Sequence, residues 1–146
     1  MAKRMTGREK AAYWQRVADT GDFLRDLRIK QGSTLAEVSE NVGVSVNFLS
    51  EIERGLKAPS DNLIVELAKY YQIDINELYQ RLGKIPESVT DELEKSPQFQ
   101  KLLLEINSNP KLSKKRKQEL YEEIYDTYLS FIEEMESEKM DGVTEE

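Results

Sequence analysis

The chain contains neither cysteine nor histidine, and the two absences together remove most of the usual side-chain chemistry. Without cysteine there is no disulfide, no thiol nucleophile and no thiolate metal site. Without histidine the commonest metal ligand and the commonest general base are missing as well. Carboxylates and lysine remain, but no arrangement of them asks for a reaction, so the chain reads as a non-enzyme with no cofactor and no metal. Long apolar runs are also lacking: no stretch approaches the ~20 apolar residues that span a bilayer. The basic start MAKRMTGREK is not followed by the apolar core of a secretory signal. The expected location is therefore the cytoplasm, with no membrane partner.

At 146 residues the length fits one small domain with an extension. The net charge of −7 is unevenly spread: residues 1–84 carry 13 Lys/Arg against 12 Asp/Glu, whereas residues 85–146 carry 8 against 16. Net charge sets solubility and long-range attraction, but phosphate binding depends on where the cations sit. The division reads as a near-neutral head and an acidic tail that does not itself lie on a polyanion.

The organising stretch is Thr34 to Gly55, TLAEVSENVGVSVNFLSEIERG. Thr34 and Glu37 have the spacing of a capping box, in which hydroxyl and carboxylate reciprocally satisfy free N–H groups. Leu35, Val38, Ser39 and Val42 then fall on one side at helical spacing, with Glu37, Glu40 and Asn41 on the other. Gly43 can take the positive φ that closes such a helix, Val44 is an apolar spacer, and Ser45 is a good N-cap for a second helix. There Leu49 and Ile52 form the inward pair, Val46, Asn47, Ser50, Glu51 and Arg54 face outward, and Gly55 ends the run. Helix, glycine turn and short second helix make a helix-turn-helix unit.

These residues resemble the DNA-binding domain of the XRE family, the phage Cro/repressor type of helix-turn-helix protein. The resemblance rests on T-L-x-E-V-S in the first helix, G-V-S at the turn and L-S-x-I-E-R-G closing the second, followed by K-A-P-S, L-A-K-Y-Y-x-I and E-L. It runs from about Gly21 to Leu82 and implies a five-helix lambda-repressor-like head; the G-K-I-P that follows resembles the start of an extension seen in many Gram-positive and prophage regulators of the family, and with the helical spacing beyond it the whole chain reads as all-α, with a C-terminal helical region. It also implies that Ser45 to Arg54 is the recognition helix, lying in the major groove of double-stranded DNA. Positions matching Val46, Asn47 and Glu51 then face base edges: Asn47 can pair with adenine, Glu51 can accept from cytosine, and Val46 offers apolar contact. Thr34, Ser45, Ser50, Arg54 and Lys57 suit phosphate or water-mediated contacts. In the family the arginine matching Arg28 supports the structure through an acidic partner, and Glu53 is the expected one. Three departures stand out. Leu35 replaces a phosphate-touching glutamine, Ser39 replaces an alanine where the two helices approach, and Glu51 brings negative charge toward a polyanion. Phe48 lies on the flank of the helix, as either core edge or dimer contact.

Elsewhere the head reads as packing. Residues 1–20 form a basic arm or helix: Thr6 and Glu9 offer another capping box, and Ala11, Ala12, Trp14, Val17 and Ala18 an apolar side. Lys3, Arg4, Arg8 and Lys10 either reach the DNA backbone or minor groove or form a solvated terminus. Tyr13 and Trp14 read as packing residues. The head spans 21–83. Phe23, Leu24 and Leu27 face inward in the first helix, and Ser60 or Asp61 caps a helix with Leu63, Ile64, Leu67, Ala68 and Tyr71 inward. Ile73, Ile75 and Leu78 lead into the last helix, near Leu82.

Residues 84–90 read as a linker, with Ser88 or Thr90 starting a short helix, and 91–140 as a helical oligomerisation region. Ser96-Pro97 starts a helix with the stripe Phe99, Leu102, Leu103 and Ile106, and Asn107 to Pro110 form a turn. The last helix, about Ser113 to Lys139, carries Leu120, Ile124, Tyr128, Phe131 and Met135, flanked by Tyr121, Tyr125 and Ile132. Lys114 to Lys117 crowd its start and Glu133, Glu134, Glu136 and Glu138 its end, an order opposed to the helix macrodipole. An antiparallel second copy would relieve that mismatch; the other reading folds the helix back on its own chain. Residues 141–146 read as a disordered tail.

The leading expectation is a sequence-specific transcriptional repressor, of prophage or mobile-element type, that reads an inverted repeat as a homodimer. The alternative is an antitoxin or adaptor whose acidic tail binds a protein or peptide partner and whose head regulates its own operon.

Overall fold

The structure, a computed structural model, describes residues 4–142. Lys3 of the basic arm and residues 143–146 of the expected tail lie outside the described residues. Among the described residues all regular structure is helical: α1 Gly7–Gln31, α2 Leu35–Val42, α3 Val46–Glu53, α4 Asp61–Tyr71, α5 Ile75–Leu82, α6 Glu87–Lys95, α7 Pro97–Ser108 and α8 Lys114–Asp141. The chain divides into two compact units, Met1–Glu92 and Leu93–Glu146.

In the first unit, the two helices expected on either side of Gly21 are one. The Thr6 hydroxyl accepts from the Glu9 amide at 3.1 Å and the Glu9 carboxylate from the Thr6 amide at 3.0 Å, which starts α1 with a complete capping box. The helix then runs through Gly21 without a break. A mid-helix glycine costs about 0.5–1 kcal/mol in backbone entropy, and here packing requires it. A Cβ at Gly21 would stand 2.8 Å from the Glu53 carbonyl oxygen, so glycine lets α1 and α3 approach backbone to backbone. Arg8 and Lys10 therefore sit in the first turns of α1 and not on an extended arm.

The core of this unit is built by Val17 and Leu24 of α1, Val38 and Val42 of α2, Leu49 and Ile52 of α3, Leu63, Ile64, Leu67 and Ala68 of α4, and Leu78, Tyr79 and Leu82 of α5. Tyr13, Phe23, Leu27, Tyr70 and Tyr71 pack partly buried around it, whereas Trp14 is exposed, its ring roughly perpendicular to that of Tyr13 with centroids 5.4 Å apart. Ser60, not Asp61, caps α4, accepting from the Leu63 amide at 3.2 Å. The stretch expected as a linker is partly helical. α6 begins at Glu87, because the Pro86 carbonyl takes the first bonds, from Val89 and Thr90.

In the second unit, Ser96 caps α7 with Pro97 at its first position, and Ser113 caps α8. Ile106 is buried and Leu103 half-buried, but Phe99 and Leu102 are exposed. α8 stays helical through Asp141, into the segment expected to be disordered. Among the described residues no helix is long and apolar enough to cross a membrane.

Candidate nucleic-acid interface

The turn between α2 and α3 is fixed by local chemistry. Thr34 caps α2 by accepting from the Glu37 amide at 3.1 Å, but the reciprocal half of the expected box is absent. The Glu37 carboxylate accepts instead from the Thr34 hydroxyl, at 3.2 Å. Gly43 caps α2 at φ 78°, a left-handed conformation that glycine adopts without strain. The Ser39 hydroxyl donates to the Val44 carbonyl across that turn. The serine standing where the family has alanine thus fits the close approach and also satisfies a turn carbonyl. Ser45 caps α3, accepting from the Phe48 amide at 3.1 Å.

α3 has two distinct sides. Inward, Leu49 and Ile52 are buried and Phe48 is partly buried against the core, so its place is the core edge. Glu53 is buried too, with 6% of its surface exposed. Arg28 of α1 meets it with two parallel bonds, Nε to Oε2 at 2.8 Å and Nη2 to Oε1 at 3.0 Å. Its third nitrogen donates to the Ser33 carbonyl at 3.1 Å. The fork matches both carboxylate oxygens, and the bond to Glu53 holds the Arg28 guanidinium to its proton more tightly than usual. Burial, with the Glu53 charge behind it, likewise pushes the Tyr71 phenol above its ordinary value. The pair that the family resemblance implied is therefore formed, and it clamps the back of α3 to α1.

Outward, Ser45, Val46, Asn47 and Arg54 are exposed, and Ser50 and Glu51 are half-buried. Arg54 lies back along the helix, its Nε 3.3 Å from the Ser50 hydroxyl. Glu51 has no ion-pair partner among the described residues. Thr34 at the start of α2 and Lys57 in the loop after α3 are exposed. Of the eight interface positions read from the sequence, the structure places six on or at the ends of α3 and two on the segments flanking it.

One residue at this edge was not singled out. Arg25 lines, with Leu35, Ser50 and Arg54, a cleft of about 230 Å³ between α1, α2 and α3. The signal was its position three residues before Arg28, which puts both on one side of α1. Among the described residues no group of acidic side chains could hold a metal ion.

Residues 24–78 match the helix-turn-helix family. This part of the chain is a helix-turn-helix domain of the XRE type, and the fold is all-helical as that domain requires. Among particular proteins, the chain is 46% identical over 56 residues to the transcriptional regulator ClgR of Mycobacterium tuberculosis, covering 38% of this chain and 50% of ClgR. It is 34% identical over 55 residues to the cryptic phage CTXphi transcriptional repressor RstR of Vibrio cholerae, covering 38% of this chain and 50% of RstR. The crystal structure of the clp gene regulator ClgR from Corynebacterium glutamicum resembles it at 27% identity and a TM-score of 0.41, over 64% of this chain and 93% of that one. The chain spans about half the length of the curated relatives it matches first. Those relatives are regulators of transcription, a non-enzyme class.

Proposed function

We propose that the chain is a sequence-specific DNA-binding regulator of transcription, acting as a repressor that reads an inverted repeat as a homodimer. The observation that carries this reading is the two-sidedness of α3. Its back is clamped by the Arg28–Glu53 fork, while Val46, Asn47, Ser50 and Glu51 face away from the core beside an N-terminus capped by Ser45. A helix so presented can enter a major groove with its first turn against the base edges. Asn47 then reads adenine through its amide, Glu51 accepts from a cytosine amine, and Val46 covers a thymine methyl. Ser45, Ser50, Arg54, Lys57 and the free amides behind Thr34 hold phosphates on either side. The relatives named as regulators, one of them as a repressor, support the same reading.

The experiment is selection of binding sites from random duplex DNA by the full-length protein at ~0.15 M salt, where non-specific phosphate binding is damped. An enriched inverted repeat is expected, with half-sites about one helical turn or a multiple apart. A single enriched half-site would keep the reader and remove the dimer. No enrichment by folded protein would move the function to the tail and a protein or peptide partner, the role of an adaptor. The apolar residues exposed along α8 are what favour that second reading.

A further inference from the structure

From Tyr121 to Met140 no residue of α8 is buried, and every one but Ile132 is exposed. The open face is aromatic and aliphatic: Tyr121, Ile124, Tyr125, Tyr128, Leu129, Phe131 and Met135 are all exposed, Phe131 at 59%. Solvated helices do not ordinarily carry such a face. The chain's own α7 has 12 residues, about 18 Å of helix, against 28 residues and about 42 Å for α8. It is too short to cover the stripe. We propose that α8 pairs antiparallel with α8 of a second copy of this chain, centred at residue 126. The inference rests on the proposed dimer and gives it a surface, an orientation and a register.

The register comes from the sequence of the exposed face. Tyr121, Ile124, Tyr128 and Phe131 follow one another at steps of three, four and three, the spacing of a seam between two helices. That spacing reads the same in both directions about position 126. Two antiparallel copies therefore set Tyr121 against Phe131 of the partner subunit, and Ile124 against Tyr128 of the partner subunit. Leu120 is half-buried within its own copy and Tyr121 is exposed, so Tyr121 takes the seam position. Continuing by the same steps, Lys117, half-buried with its ammonium 3.4 Å from the Asn107 carbonyl of its own copy, stands opposite the partner's Met135, and exposed Lys114 meets the partner's Glu138. Both ends of the seam are then closed by opposite charges.

Orientation follows from those ends. A parallel pair in register would face Lys114 with Lys114, Lys117 with Lys117 and Glu138 with Glu138. Each helix also opposes its own macrodipole, with four cations in its first turn, Lys114 to Lys117, and Glu133, Glu134, Glu136 and Glu138 near its end. Antiparallel pairing lays each basic end beside the partner's acidic end and beside the end of the partner's dipole that favours it. The same operation is a two-fold axis, the symmetry that an inverted repeat demands.

Sedimentation of the full-length protein tests the surface. A dimer is expected at micromolar concentration, and Phe131→Glu should weaken it on the order of 100-fold, since the axis repeats the lesion. Its head should unfold at an unchanged temperature. A wild-type chain that stays monomeric would overturn the proposal, as would a Phe131→Glu chain that remains dimeric. The missing cysteines make orientation directly readable. Lys114→Cys mixed with Glu138→Cys should give a mixed disulfide on oxidation, and neither variant alone should give one. Self-linking of each variant would overturn the antiparallel arrangement. Lys114→Glu should weaken the dimer by about fivefold through two exposed pairs, and adding Glu138→Lys should restore it. Failure here is separable from failure of the DNA reading. A monomer that still selects a half-site loses only the helix pair, and an antiparallel dimer that selects no DNA loses only the reader.

Discussion

α3 and α8 both place apolar residues at helical spacing, but the chain closes the first and leaves the second open. In α3 the inward pair Leu49 and Ile52 is almost wholly buried, at 2% and 1% exposure, by helices of its own unit. In α8 the corresponding stripe lies in solvent from Tyr121 onward. A helix sealed by its own chain is held in one position, and its outer face is free to be a precise reading surface. A helix left unsealed has no such duty, and its stability as a pair depends on something outside the chain. The sharpest way to break this comparison is to truncate one apolar residue in each. Leu49→Ala should cost the head ~2–5 kcal/mol, because the vacated space is enclosed on all sides. Phe131→Ala should leave the unfolding of the isolated monomer unchanged within about 0.5 kcal/mol. Thermal unfolding at a concentration too low for association checks both. Equal losses would mean that α8 is as much a part of the folded monomer as α3.

The comparison repeats within α3 itself, between two glutamates two residues apart. Glu53 is buried and doubly bonded to Arg28, while Glu51 faces outward with no ion pair among the described residues. Glu53→Ala leaves a guanidinium largely removed from water without its counter-charge and should cost about 3 kcal/mol. Glu51→Ala should scarcely change stability and should instead alter which base is preferred at one operator position. A denaturant titration separates the two, and a larger stability loss at Glu51 than at Glu53 would invert the assignment of faces.

Next in size is the loss at Asn47. Asn47→Ala should cost ~1–3 kcal/mol at one base pair of the selected site and relax the preference there, with the head as stable as before. Binding curves against every substitution at that pair are the measurement. Equal weakening on every sequence would make Asn47 a phosphate contact. It would then belong with Ser50 and Arg54, not with the base-reading end of the helix.

The head was more legible in the sequence than the tail, for a physical reason. Capping residues, a glycine at the turn and an inward Leu49/Ile52 pair are local signals, and each has a local structural consequence. Ser45, Ser60 and Gly43 cap the helices they were expected to cap. The merging of two expected helices into α1 was not legible, because Gly21 looks like a breaker until the α3 backbone is seen against it. Trp14 misled in the opposite direction: an aromatic in an amphipathic stretch reads as core, yet the neighbouring Tyr13 takes the partly buried position. Half of the Thr34 capping box is missing, because the Glu37 carboxylate takes the Thr34 hydroxyl in place of its backbone amide, a choice that spacing alone does not reveal. Helical spacing sets Arg25 with Arg28 away from the apolar side of α1, but the cleft it lines is assembled from three helices, and no single stretch of sequence contains it.

The smallest expected effect lies where the head closes, at Asp61. Its carboxylate accepts from the Lys84 ammonium at 2.7 Å and from the Tyr79 hydroxyl at 3.2 Å. The Lys84 bond, above all, holds the Asp61 carboxyl below its ordinary range despite the opposing effect of burial. The sign of the consequence is fixed. The folded state releases this proton more readily than the unfolded chain does, so ionised Asp61 stabilises the fold. That stability is complete above the ordinary carboxylate value of ~4 and disappears as the pH falls through the lower folded value. Asp61→Asn should therefore cost about 0.5–1 kcal/mol at pH 7 and close to nothing at the acid limit, the size expected of a partly exposed pair. Lys84→Met should reproduce most of the same pH-dependent difference, since it removes the larger of the two causes, and Tyr79→Phe only a part of it. Measuring unfolding of the three variants between pH 7 and the acid limit makes the test quantitative. If Asp61→Asn kept its full cost at low pH, the residue would be acting through its place in the first turn of α4 and not through its charge.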